Sequence, residues 1–263
     1  MPHRFSLGFL PLGAVVFPGP APVHAQQWGD VKGRIVWADK NLPKRQVIDS
    51  VKNNPDKAHC LMNGDILDEK WVVNEKNKGL RYSFVWLVDA QDIKAKLPIH
   101  PDLAKPKDDK VVIDQPCCMF VPHAIGMREG QVLLVKNPAP VTHNFKWTGN
   151  PALGIAGNVS MPSKFELPIK GLVADRLPIK IECSIHPWMN GWVRVFDHPY
   201  FAVTDENGAF TMPKAPAGDY KLVIWHGSGG FTGGAKGRTG QPIAIAAGKM
   251  TDPGELQYVL PEE

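Results

Sequence analysis

The 263-residue chain has no run of eighteen apolar residues, no cluster of five basic residues and no stretch of sustained helical period. The first absence excludes a membrane-spanning helix, which needs about 20 consecutive, mostly apolar residues. The second argues against a nucleic-acid platform: 30 Lys plus Arg stand against 26 Asp plus Glu, and the net charge of +4 is scattered. The third, together with 25 Gly and 25 Pro, disfavours a helical bundle and predicts many turns. No period of about 20–50 residues marks a repeat protein. Serine nucleophile chemistry is also missing, because Ser228 in Gly227-Ser228-Gly229 lacks the spacing of a nucleophile elbow. The surrounding glycine-rich stretch, residues 227–240, lacks the spacing and following helix of a phosphate cradle and reads as a mobile loop. What is there is a chain 43% hydrophobic and 21% charged, enough to bury a core in one large or two modest domains. An exported, all-β protein is the class to which these features point.

The amino terminus carries the argument for export. Arg4 precedes an apolar stretch over residues 5–17, followed by the helix-breaking Pro18-Gly19-Pro20 and then Val23-His24-Ala25. That order matches a signal peptide, residues 1–25, and places the mature chain in the periplasm or another exported location. A buried N-terminal strand is the other reading. No cysteine lies near the cut, so a lipid anchor is not indicated.

From Trp28 onward the chain reads as short strands separated by Gly, Pro, Asn and Asp clusters. Residues 33–37 and 81–88 are the clearest early strands; residues 39–79 between them are polar and irregular, and residues 89–109 form a second long loop. A denser block follows, with strands expected at 110–114, 124–127, 131–136, 142–147, 164–169, 177–183 and 192–196. Phe165, Leu167 and Ile169 alternate with Glu166, and Ile179, Ile181 and Cys183 alternate with Lys180 and Glu182, the period of half-buried strands. In the final block Asn207-Gly208 joins residues 200–204 to 209–212, a strong hairpin signal, and a second hairpin leads through Gly218-Asp219 into residues 220–225.

Chemistry concentrates in Cys183-Ser184-Ile185-His186-Pro187-Trp188-Met189, a Cys-x2-His-x2-Met cluster at the end of an alternating strand. The upstream Thr142-His143-Asn144-Phe145 offers a second imidazole. A thiolate, two imidazoles and a thioether form a soft set that suits copper in both oxidation states, with the methionine as a long axial ligand. Zinc would normally take four strong ligands instead.

This stretch resembles the copper-binding loop of the cupredoxins, the type 1 blue copper proteins. Its short spacing, with Pro187-Trp188 before Met189, is similar to the amicyanin- and plastocyanin-like members. Phe120-Val121-Pro122, the Gly130-Gln131-Val132 turn, Asn137 and His143-Asn144 carry the same resemblance over residues 110–197. It implies a Greek-key β-sandwich and one type 1 copper held by His143, Cys183, His186 and Met189. It also implies that Asn144 and Ser184 hydrogen-bond to tie the two ligand segments together. The function implied is single-electron transfer with a redox protein such as a c-type cytochrome or a dehydrogenase. His186 would then bring its ring edge near the surface inside an apolar docking rim of Pro187, Trp188, Pro138, Ala139 and Pro140. His123 departs from the family pattern and reads as a hydrogen-bonded structural histidine rather than an extra ligand.

With Cys183 given to copper by that resemblance, three cysteines remain. Adjacent cysteines rarely bridge each other, so Cys60 is expected to pair with one of Cys117 and Cys118. Cys118 is the expected partner, leaving Cys117 as a buried thiol or an accessory metal ligand. The flanking residues 28–97 and 198–263 resemble the two halves of a carboxypeptidase regulatory-like, transthyretin-like β-sandwich. The all-β cupredoxin of residues 110–197 would be inserted between them; an enlarged cupredoxin with a C-terminal appendage is the alternative. His226 reads as structural. The leading function is an exported blue-copper electron carrier. The alternatives are a periplasmic copper-binding or storage protein, and a structural β module with a vestigial site. An enzyme is not expected, because copper oxidases and nitrite reductases of this kind need a second copper cluster and the chain has no His-x-His pair.

Overall fold

The computed structural model describes residues 26–261; the expected signal peptide, residues 1–25, lies outside them. Strands dominate, and they sort into two sandwiches. The inner one holds eight strands in two sheets. The larger runs in the order Ala124–Arg128, Asn190–Phe196, Ile179–Glu182, His143–Thr148, Ala156–Met161, and the smaller runs Lys110–Asp114, Val132–Asn137, Phe165–Ile169. Each sheet contains one parallel pair, Lys110–Asp114 beside Val132–Asn137 and Ala124–Arg128 beside Asn190–Phe196.

The alternation visible in the sequence decides which face turns inward. Ile179 and Ile181 are buried while Lys180 pairs with Glu182 on the outside at 2.7 Å. Leu133 and Val135 are buried likewise, and Phe120 packs edge-on against Phe145 with ring centroids 5.6 Å apart. Phe165 departs from the expected inward face: it is 38% exposed, because its strand is the outer edge of the three-stranded sheet and leaves its first residue at the rim.

The outer sandwich draws strands from both ends of the chain. In one sheet Trp28–Trp37 lies between antiparallel Ala209–Pro216 and the parallel strands Met250–Thr251 and Glu255–Tyr258. In the other, Phe84–Asp89 lies between Phe201–Val203 and Gly218–His226, and Gln241–Ile245 continues from the latter. Val31, Ile35, Leu87, Phe210, Leu222 and Tyr258 share its core. The turn at Gly208 needs glycine twice over: its φ is +73°, and a Cβ there would lie 2.2 Å from the Ile35 carbonyl oxygen.

The two sandwiches meet through a third apolar cluster. Phe84, Trp86, Val223 and Trp225 face Ala124 and Phe196. Trp192 packs edge-on against Trp225 at 4.9 Å, and Phe196 stacks on Phe201 at 4.0 Å.

Two loops are more structured than the sequence suggests. Residues 227–240, expected to be mobile, contain strand Gly230–Phe231 and the 3-10 segment Gly234–Thr239; Phe231 is buried and Thr232 donates its N–H to the Ile224 carbonyl. Residues 39–79, expected to be irregular, contain a 3-10 turn at Asp49–Asn53 and a helical turn at Lys57–Cys60. The Ile48 N–H closes the base of this segment onto the Ile66 carbonyl at 2.9 Å. Its Val51, Cys60 and Ile66 are buried in the core of the inner sandwich rather than the outer one. Cys60 is disulfide-bonded to Cys118, with the Cα atoms 5.2 Å apart. Among the described residues no helix is long and apolar enough to cross a membrane.

Candidate metal centre

Three donors converge at one end of the inner sandwich. His143 opens strand His143–Thr148, and Cys183 follows strand Ile179–Glu182, so the pairing of these neighbouring strands brings the two residues together. The chain then turns tightly: His186 donates its N–H to the Cys183 sulfur at 3.4 Å, Met189 donates its N–H to the His186 carbonyl, and Cys183 donates its N–H to the Met189 carbonyl. This closed loop delivers His186 and Met189 back to the strand end. His143, Cys183, His186 and Met189 are all buried, none more than 2% exposed. The imidazole nitrogens and the thiol sulfur of the first three lie within 4.8 Å of one another.

The ring nitrogens set the chemistry. His143 Nδ1 and His186 Nδ1 are 2.9 Å apart, and the Cys183 sulfur is 3.9 Å from His186 Nδ1. Burial pushes His143 down to about 4, helped by the neighbouring His186 and His59; burial also lowers His186, against the pull of Asp56. Both rings are therefore neutral at pH 7, with lone pairs to offer. Two neutral Nδ1 atoms facing each other can share only one proton, which leaves a lone pair turned toward the Cys183 thiol. A soft cation that accepts both lone pairs and the thiolate satisfies all three groups, so the donor set fits copper.

A shell of main-chain donors holds the ligands still. Asn144 Oδ1 accepts the Ser184 N–H at 2.6 Å and the Ile185 N–H at 3.3 Å, while the Asn144 N–H points at the Cys183 sulfur at 3.5 Å. Asn144 Nδ2 donates to Asn158 at 2.8 Å, anchoring the amide from the far side. The tie to Ser184 runs through its main chain, not its hydroxyl. Two N–H groups aimed at one sulfur favour the thiolate and withdraw charge from it.

The surface exposure expected for His186 is corrected by the structure. The segment bearing Lys57–Cys60 lies over the ligand loop, His186 is fully buried, and its Nε2 meets Asp56 Oδ2 at 3.0 Å. His59 Nε2 contacts the Pro116 carbonyl at 3.1 Å, and Trp188 Nε1 donates to the Cys118 carbonyl at 3.0 Å, so the disulfide sits between cover and loop. Of the expected rim, Pro138, Pro140 and Pro187 are exposed, Trp188 is half-buried and Ala139 is buried. Sequence reasoning missed Asp56, which lies 130 residues from His186 in the chain. Only its place in the Asn53-Asn54-Pro55-Asp56 turn distinguished it.

The remaining residues lie away from this cluster. His123 is buried with Nδ1 3.3 Å from Glu69, and its ring packs on Tyr82, whose hydroxyl donates to the same carboxylate. Cys117 is half-buried and outside the disulfide, and burial pushes its thiol up. His226 is buried in the outer sandwich, where it contacts the Arg81 carbonyl at 3.2 Å and stacks on Trp71.

No protein-family model matches the chain, and no curated protein matches it. The solved structures that it resembles include a purple cupredoxin from Nitrosopumilus maritimus, at 20% identity, 32% of this chain and 98% of that one, TM-score 0.28. A reduced amicyanin variant aligns at 17% identity over 42% of this chain and 91% of its own, TM-score 0.31. The copper-containing nitrite reductase of Thermus scotoductus aligns at 18% identity over 39% of this chain and 28% of its own, TM-score 0.31. The structural neighbours are thus cupredoxins matched over part of the chain.

Proposed function

We propose that the protein is an exported electron carrier that holds one type 1 copper through His143, Cys183, His186 and Met189. The observation that carries this reading is the convergence of two buried, neutral imidazoles and one thiol within 4.8 Å on a closed loop. Copper held there supplies a one-electron couple.

The rest is done by the chain. Burial of every ligand excludes water. The Asn144 amide and the Cys183–His186–Met189 turn fix the ligands in one arrangement, so little has to move when charge changes. Asp56 accepts the Nε2–H of His186, which leaves the Nδ1 lone pair facing the thiol and makes that nitrogen a stronger donor. With His186 covered, electrons enter and leave across residues 54–59 and the exposed Pro138, Pro140 and Pro187. The partner is a redox protein such as a c-type cytochrome or a dehydrogenase.

Copper storage is the second reading, and the covered His186 is what favours it. Voltammetry of the copper-loaded protein separates the two. An electron carrier gives a reversible one-electron wave whose peak separation stays small as scan rate rises. A storage protein binds copper but gives no reversible wave.

A further inference from the structure

Where the two sandwiches meet, strand Asn190–Phe196 carries Arg194 into the wall of a cavity of about 350 Å3. The side chain is 95% buried by its exposure of 5%, and its Nε and Nη1 have no hydrogen-bond partner. Its guanidinium carbon lies over the Trp86 ring, 3.4 Å from the centroid, and 4.4 Å from that of Phe196. Nε and Nη1 are enclosed by the surrounding side chains, and Nη2 is the nitrogen left open. A buried, unpaired charge is strongly unfavourable, and burial here pulls the guanidinium down to about 9.

The surroundings add charge of the same sign. Lys94, Arg176 and Arg238 line the same cavity; Asp175 and Asp197 line it too and favour the charged guanidinium without hydrogen-bonding to its Nε or Nη1. Four cationic groups against two carboxylates leave an excess of two positive charges. Phe231, Leu87 and Val223 complete an apolar wall. The volume is that of a small-molecule site.

We propose that this junction cavity binds a small organic carboxylate, whose oxygens accept hydrogen bonds from Arg194 Nη2, the guanidinium nitrogen that is not enclosed, and whose apolar body lies against Val88, Ile93 and Phe231. A charged guanidinium donor suits a carboxylate, and the apolar lining favours a carbon skeleton over a bare hydrated anion. This site is separate from the copper ligands and does not depend on them.

Calorimetric titration of the full chain with benzoate, and separately with inorganic phosphate, tests the proposal. Benzoate is expected to bind at one site per chain and more tightly than phosphate. Arg194→Met keeps an unbranched apolar side chain against Trp86 but removes the guanidinium donors, and should weaken benzoate by at least about tenfold, the loss of one charged hydrogen bond. Arg176→Ala combined with Arg238→Ala changes only exposed side chains and should weaken it less. No saturable binding of benzoate to the folded wild type, equal affinity in Arg194→Met, or tighter binding of phosphate would each overturn the assignment.

Discussion

Asp56→Asn lowers Cu(II) affinity by about 10–100-fold, the range found when a group that orients a metal ligand is removed. The carboxylate meets His186 Nε2 at 3.0 Å, and no other acceptor contacts that nitrogen among the described residues. Asn in its place retains an oxygen that can accept the proton but not the negative charge. The charge matters more to Cu(II) than to Cu(I), so the reduction potential rises as well. The Asp56 side chain is 32% exposed and Asn keeps an acceptor for the His186 N–H, so the melting temperature of the metal-free protein should hardly change. Competition titration against a Cu(II) chelator reads the affinity, and voltammetry reads the potential. Unchanged affinity and potential would show that the covering segment lies over the ligand loop without acting on the metal.

The Cys60→Ser/Cys118→Ser double variant tests the cover as a mechanical part. The two cysteines are 58 residues apart, for which loop-closure entropy gives a loss of roughly 4 kcal/mol in unfolding free energy. For a domain of this size that corresponds to a fall of about 10 °C in melting temperature. The loss should reach the metal centre too, because Trp188 of the ligand loop is hydrogen-bonded to the Cys118 carbonyl and Val51 and Ile66 of the cover are buried in the same core as Cys183 and Met189. Thermal unfolding of the oxidised wild type beside the double variant measures this. A change of less than about 2 °C would mean that the segment stays in place by packing alone.

These two predictions rest on the part of the molecule that the sequence hid. The strands of the inner sandwich were legible because burial on one face leaves a period of two, as in Ile179, Lys180, Ile181 and Glu182. The Asn207-Gly208 turn was legible because the αL conformation there all but requires glycine. Ala156–Met161 was not, since an edge strand of Gly, Asn, Val and Ser buries only its last residue and forms because His143–Thr148 offers it a partner. The short C-terminal strands were missed for a related reason: Met250–Thr251 and Glu255–Tyr258 add in parallel to Trp28–Trp37, a pairing that depends on elements more than 200 residues away. At the site, Cys183, His186 and Met189 share one turn and are visible as a spacing. Asp56 reaches them from a polar loop of the other sequence block, and no local pattern encodes that encounter.

The central claim is a copper–thiolate bond at Cys183. The visible spectrum of the protein on addition of Cu(II), beside Cys183→Ala, tests it most directly. The account predicts an intense blue thiolate-to-copper band in the wild type, bleached reversibly by a mild reductant and missing from Cys183→Ala. A protein that binds copper without colour, or shows the same spectrum with Ala at position 183, contradicts it.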